Sequence, residues 1–74
     1  MTKEELIEMF YDNISCSDWE KYDFVDPPYC WCIGASIEVD GYLFEADGMF
    51  TYPDIYEAQT IDVTTPTGEV ISLM

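Results

Sequence analysis

Residues 35–46 read ASIEVDGYLFEA, and this stretch decides the fold. Asp40-Gly41 is the strongest short-range signal for a two-residue type I′ β-turn, which pairs Val39 with Tyr42. Because successive strand residues point to opposite sides, one face of the predicted hairpin carries only apolar side chains, those of Ala35, Ile37, Val39, Tyr42, Phe44 and Ala46. The other face carries Ser36, Glu38, Leu43 and Glu45, with Asp40 and Asp47 at its ends. The pattern predicts a hairpin with one core face and one acidic face.

Residues 2–14, upstream of the hairpin, have the apolar period of an amphipathic helix. Thr2 and Glu5 form a T-x-x-E capping box at its start. The apolar stripe of this helix consists of Leu6, Ile7, Phe10 and Ile14. Three acids spaced four residues apart lie on another face: Glu4, Glu8 and Asp12.

Between helix and hairpin, residues 15–28 predict an irregular link that Pro27-Pro28 ends, with a short helical turn around residues 17–22. The first strand of the hairpin is expected over residues 29–39.

Beyond the hairpin, Asp47-Gly48 predicts a second tight turn into a strand at residues 49–52. Residues 53–59 predict a helical turn, and residues 60–64 and 69–73 a closing hairpin. We therefore expect one α+β domain over residues 1–74, with one N-terminal helix packed on a mostly antiparallel sheet of four to five strands.

The composition combines a high acidic charge with many core-forming residues. Sixteen acids face only Lys3 and Lys21, so the net charge is −14, while 49% of the residues are hydrophobic and 16% aromatic. Disordered acidic chains lack such apolar residues, so this chain is expected to fold with its charge outside. Its field attracts cationic surfaces and repels nucleic acid, which predicts a basic protein partner and no direct nucleic-acid binding.

Several kinds of chemistry are excluded or disfavoured. The chain has no His and no Arg, so His-dependent catalytic triads are impossible, and we expect neither enzymatic activity nor a cofactor. Cys16, Cys30 and Cys32 are an odd number, without His to complete a zinc site, and are expected to be buried, reduced, structural residues of a cytoplasmic protein. No apolar run approaches the length of a membrane span.

Calcium binding by the hairpin segment is one function to be weighed. Ser36, Glu38, Asp40, Gly41 and Asp47 fall at positions 1, 3, 5, 6 and 12 of an EF-hand loop. Ser at position 1, Asp at position 12 and strand-like flanks all disfavour this interpretation.

The acids themselves form the remaining constellation. Spacings of i, i+4 on a helix and i, i+2 on a strand both separate carboxylates by about 6–7 Å along the chain axis. Such intervals are close to those of nucleic-acid phosphates. The helical row is Glu4, Glu8 and Asp12, and the sheet row is Glu38, Asp40, Glu45 and Asp47.

In whole-chain charge and in these acidic rows, the chain resembles the small phage-encoded anti-CRISPR and anti-restriction inhibitors, some of which act as DNA mimics. The resemblance implies an inhibitor, in the host-cell cytoplasm, that blocks the nucleic-acid site of a defence protein such as a CRISPR effector. Asp18, Trp19, Glu20 and Tyr22 would join the rows at the interface, with Trp19 and Tyr22 as exposed aromatic anchors. The first alternative is an acidic interaction or assembly module that uses an exposed sheet edge without mimicry.

Overall fold

Five antiparallel strands pair in chain order to form one sheet, and one helix precedes them. The structure is a computed structural model that describes residues 1–25, 30–51 and 55–74. The elements are α1 (Lys3–Asn13), a 3₁₀ turn (Cys16–Asp18), β1 (Trp19–Val25), β2 (Cys30–Val39), β3 (Tyr42–Thr51), β4 (Ile55–Thr64) and β5 (Val70–Ser72). The expected α+β fold with an N-terminal helix and a five-stranded antiparallel sheet is confirmed.

The capping box begins α1 as its sequence predicts. The Glu5 backbone N–H donates to Thr2 Oγ1 at 3.2 Å, and the Thr2 N–H donates to Glu5 Oε1 at 2.9 Å. Hydrogen bonds from Thr2 hold the pKa of the Glu5 carboxyl below its ordinary value, since they favour the charged form. The helix ends at Asn13, whose side chain donates to the Met9 carbonyl at 2.8 Å.

The β2–β3 hairpin has the predicted turn and register. Asp40 and Gly41 have φ of 50° and 85°, the left-handed conformations that a type I′ turn requires at both positions. Ala35 pairs with Ala46, Ile37 with Phe44, and Val39 with Tyr42. The predicted core face is therefore formed.

The core lies between this face and α1. Leu6 and Phe10 of the helix are buried with side chains from β3, from β4 and from the residue that follows β5: Phe44, Ala46, Ala58, Ile61, Val63 and Leu73. Burial of each large side chain contributes about 1.5–3 kcal/mol, and this cluster contains eight of the eleven buried hydrophobic residues of the described chain. We call this side of the sheet the covered face.

The helix covers only part of that face. Its 11 residues span about 16 Å, whereas the ten residues of β2 or β3 span about 33 Å. Beyond the helix the covered face is aromatic: the Phe24 and Trp31 ring centroids lie 5.1 Å apart, and Lys21 Nζ lies 4.2 Å from the centre of the Phe50 ring.

The predicted irregular link is wrong for residues 19–25, which form β1; residues 26–28 lie outside the described part of the chain. Lys21 pairs with Ile33 but Asp23 pairs with Cys32, so Tyr22 is the extra residue of a β-bulge. The bulge interrupts the period of two, which is the signal that identifies strands. Instead of the helical turn over residues 17–22, the structure has the shorter 3₁₀ turn.

The predicted turn at Asp47-Gly48 is also wrong, because β3 runs straight through it. Asp47 pairs with Thr60 and Gly48 with Ala58, so Gln59 is an extra residue in β4. A Cβ atom at Gly48 would collide with the Glu57 carbonyl oxygen and lie 2.9 Å from the Ala58 Cα. Gly48 therefore permits close approach of two strands and not a reversal of the chain.

The end of the sheet confirms one prediction and corrects another. Residues 55–59, predicted as part of a helical turn, belong to β4, while residues 53 and 54 lie outside the described chain. The closing hairpin is confirmed, with β5 limited to three residues and Gly68 at φ 90° in the connection. Among the described residues, no helix is both long enough and apolar enough to pass through a bilayer.

Candidate functional site

The face of the sheet opposite α1 holds an open depression of about 560 Å³ lined by acidic and small side chains. Its carboxylates are those of Asp18, Glu20, Glu45, Asp47 and Asp62, and its other lining residues include Gly34, Ser36, Thr60, Thr64 and Val70. None of the lining residues is basic. We call this surface the acidic face.

Strand register sets the spacing of these groups. Glu20, Gly34 and Asp47 are successive partners across β1, β2 and β3, and Ser36 pairs with Glu45. Gly34 and Ser36 of β2 therefore lie between the acidic residues of β1 and those of β3. With neighbouring strands about 4.8 Å apart, the carboxylates of β1 and β3 are separated by roughly 10 Å at the backbone.

A slot lies above Gly34. A Cβ atom at this position would be 3.4 Å from Asp47 Oδ1 and 3.7 Å from Tyr22 Cε1, so a carboxylate and an aromatic ring both border the space that the glycine leaves. The Tyr22 side chain is 63% exposed. Partial desolvation, and then the charge of Asp47, raise the pKa of the Tyr22 hydroxyl, which therefore stays neutral and able to donate.

Two carboxylates of the acidic face are directly opposed. Glu45 and Asp62 are cross-strand partners in β3 and β4. Within the described residues, neither side chain has a hydrogen-bond or ion-pair partner. Like charges in this position destabilise a sheet by an amount on the order of 0.2–1 kcal/mol. The free protein thus holds repulsion that a cationic partner would relieve.

The structure brings together four of the predicted acids: Asp18, Glu20, Glu45 and Asp47. Tyr22 is exposed beside them, as expected. Glu38 lies on the same side of the sheet by register, nearer the hairpin turn and outside the depression. Asp62 was not among the predicted residues, although the alternation of Thr60, Asp62 and Thr64 with Ile61 and Val63 carries the signal that places it here.

The prediction that Trp19 is an exposed anchor is wrong. Trp19 is partly buried against the helix-covered cluster, and its ring meets the Phe10 ring edge-on with centroids 6.2 Å apart. The reason is that Trp19 begins β1, so strand alternation turns it to the covered face when Glu20 takes the acidic one.

The helical row and the sheet row do not form one surface. Glu8, Asp12 and Asp40 line a second depression of about 380 Å³ between α1 and the hairpin turn. Glu4 is exposed on α1 and borders neither depression. Because α1 packs on the covered face, the sheet separates these acids from the acidic face.

The EF-hand interpretation does not fit the fold. Ser36 and Glu38 lie in β2 and Asp47 lies in β3, so the segment is a β-hairpin and not a loop between helices. Across residues 1–25, 30–51 and 55–74, no three Cys, Asp or Glu side chains are grouped to hold a metal.

The cysteines are reduced, but they differ in exposure. Cys30 is buried, as expected of a structural residue, and Cys32 is partly buried with Sγ 3.9 Å from Met49 Sδ. Cys16 is exposed, which contradicts its predicted burial.

Comparison of the chain with protein-family models, with curated proteins and with solved structures gives no significant match.

Proposed function

We propose that this protein is an acidic inhibitor that binds the basic nucleic-acid site of a host defence protein, such as a CRISPR effector, and occupies it in place of phosphates. The observation that carries the proposal is the acidic face, where five carboxylates line one depression that has no basic lining residue. The proposal involves no catalysis and no cofactor.

The placement of the two lysines supports it. Lys21 lies in β1 between Glu20 and Tyr22, yet its ammonium group points to the covered face, over the Phe50 ring. Lys3 lies at the start of α1, on the other side of the sheet from the acidic face. Neither lysine therefore neutralises the carboxylates of the acidic face, and their negative charge favours the approach of a cationic surface.

The spacing of the acids suits several Lys or Arg side chains at once. Glu45 and Asp47 are two residues apart on β3, about 6.6 Å along the strand. Asp62 is directly across from Glu45 on the next strand. A protein surface that contacts successive phosphates carries cations in comparable rows, and those cations form charge-assisted hydrogen bonds equally well with carboxylates.

The slot above Gly34 is suited to one arginine in particular. A planar guanidinium can stack on the Tyr22 ring while it pairs with the Asp47 carboxylate, which is the two-sided contact that Arg makes and Lys does not. We therefore expect an arginine of the partner to be the strongest single contact.

The test compares two variants that each lose four negative charges. The face variant combines Glu20→Gln, Glu45→Gln, Asp47→Asn and Asp62→Asn; the control combines Glu4→Gln, Glu8→Gln, Asp12→Asn and Glu69→Gln, all on exposed residues outside the depression. Immobilised wild-type protein captures candidate partners from a bacterial lysate, and mass spectrometry identifies them. Each purified partner is then titrated with the three proteins, with and without its labelled nucleic acid.

We expect the face variant to lose about 30- to 1,000-fold in affinity, as expected for the loss of several charge pairs, and the control to lose at most a few-fold. Wild-type protein should displace the labelled nucleic acid, and its binding should weaken as salt rises. Unchanged affinity of the face variant, or a ternary complex that retains the nucleic acid, would contradict the proposal.

A further inference from the structure

One side of β1 is a long open edge of the sheet. Its only neighbour among the described strands is β2, so one side of Trp19–Val25 has no strand beside it over about 23 Å. At the other side of the sheet, the three residues of β5 pair only with residues 62–64 of β4, so among the described strands the earlier part of β4 is a second open stretch. The unpaired N–H and C=O groups of an edge strand are a template on which another extended chain can add.

Two exposed aromatic residues lie on this strand, one on each face of the sheet. Tyr22 is 63% exposed beside the acidic face, and Phe24 is 43% exposed beside Trp31 on the covered face. The bulge produces this arrangement, because Tyr22 is the extra residue and Phe24 then returns to the covered face. An added strand would have an aromatic side chain beside it on each face of the sheet, and aromatic residues are enriched in the cores of protein interfaces.

Charge decides what can occupy the edge. Glu20 and Asp23 lie on β1 and are exposed, and the whole chain carries a charge of −14. A second copy of this chain is therefore repelled, in the way that edge charges commonly prevent self-association. An extended segment rich in Lys or Arg is attracted by the same groups.

We infer that β1 binds an extended basic segment of the partner as a sixth strand of the sheet. Lys or Arg side chains of that segment point toward Glu20, Tyr22 and Asp23, and the residues between them are apolar and pack beside Phe24. The inference rests on the proposed function, for which it names the partner segment: a strand in which basic and apolar residues alternate.

The experiment uses peptides of about eight residues, a length that covers β1. One alternates Lys and Val, and another has the same composition with all Lys residues before all Val residues. Two further versions of the alternating peptide carry N-methyl groups on its odd-numbered or its even-numbered backbone amides. Binding to the intact protein is measured by calorimetry at low salt.

We expect the alternating peptide to bind at least about tenfold more tightly than the block peptide, a difference of about 1.4 kcal/mol. One N-methylated version should lose binding and the other keep it, since only alternate amides of an added strand face the edge. Phe24→Ala should weaken binding several-fold. Tyr11→Ala, which truncates a 50% exposed aromatic residue on α1 outside both depressions, should not.

Equal binding of the alternating, block and both N-methylated peptides would overturn the edge inference and leave binding by the acidic face intact. If the peptides then fail to bind the face variant, their binding site is the acidic face. If no basic peptide binds, the edge inference is wrong, and capture of a folded basic partner by the wild-type protein then shows separately whether the proposed function survives.

Discussion

The covered face and the acidic face are formed by the same strands, and neighbouring residues of one strand belong to opposite faces. Phe44 is fully buried beneath α1, while Glu45, the next residue, is exposed in the depression. Ile61 and Asp62 repeat the same contrast on β4. The covered face supplies the apolar burial that folding needs, whereas the acidic face adds repulsion that folding does not need. This difference is why we propose that the acidic face is the functional surface.

The largest loss of stability should come from truncating a core side chain on the covered face. Phe44→Ala removes a fully buried ring from the core and should lower the free energy of unfolding by about 3–5 kcal/mol. Leu43→Ala changes the preceding residue, which lies partly exposed on the other side of β3, and should cost less than about 1 kcal/mol. Urea denaturation measures both free energies of unfolding. Similar losses would mean that the covered face does not contribute more to stability than the opposite face.

Alanine substitutions at two glycines should change stability by an intermediate amount. At Gly48 an added Cβ meets backbone of β4, so Gly48→Ala should destabilise the protein by about 1–3 kcal/mol. At Gly34 the nearest atom is a movable Asp47 side-chain oxygen 3.4 Å away. Gly34→Ala should therefore leave stability equal or raise it by about 0.4–1 kcal/mol through the unfolded chain.

Gly34→Ala should nevertheless weaken partner binding, because the methyl group fills the slot between Asp47 and Tyr22. Thermal melts and partner titration on the same samples separate the two effects. Equal destabilisation by both substitutions would refute the assignment of Gly48 to strand packing and of Gly34 to the binding surface.

The smallest changes in stability should come from neutralising Asp62 and Glu4, and they should have opposite signs. Asp62→Asn removes the repulsion with Glu45 and should stabilise the protein by about 0.2–1 kcal/mol at low salt, a gain that shrinks as salt rises. Glu4→Gln removes a carboxylate from the first turn of α1, where the helix dipole favours it, and should cost about 0.3–1 kcal/mol. A stabilising Glu4→Gln would show that general repulsion, and not the acidic face, dominates.

The sequence predicts the parts of this fold that depend on local signals. The capping box at Thr2 and the turn at Asp40-Gly41 define the helix start and the central register, because each is fixed by a few adjacent residues. The errors occur where an extra residue in one strand breaks the period of two, at Tyr22 in β1 and Gln59 in β4. A bulge depends on the partner strand, which one local segment does not contain.

The same limit applies to the site. Glu45 and Asp47 are predictable because they follow the hairpin register, and the slot above Gly34 is not, because Tyr22 reaches it only through the bulge. The expectation that Trp19 is exposed fails for a related reason. Without β1 as a strand, no alternation distinguishes it from Tyr22.

The order in which the strands pair also has a kinetic consequence. Each strand is beside its neighbour in the chain, so the sheet can grow one hairpin at a time with short loops to close, which favours rapid folding. The helix is the exception, because the cluster that buries Leu6 and Phe10 includes Ile61, Val63 and Leu73 near the other end of the described chain. During synthesis α1 emerges before the five strands but completes its burial only after β4 is available. The strands that bear the acidic face can therefore pair before the covered face is closed.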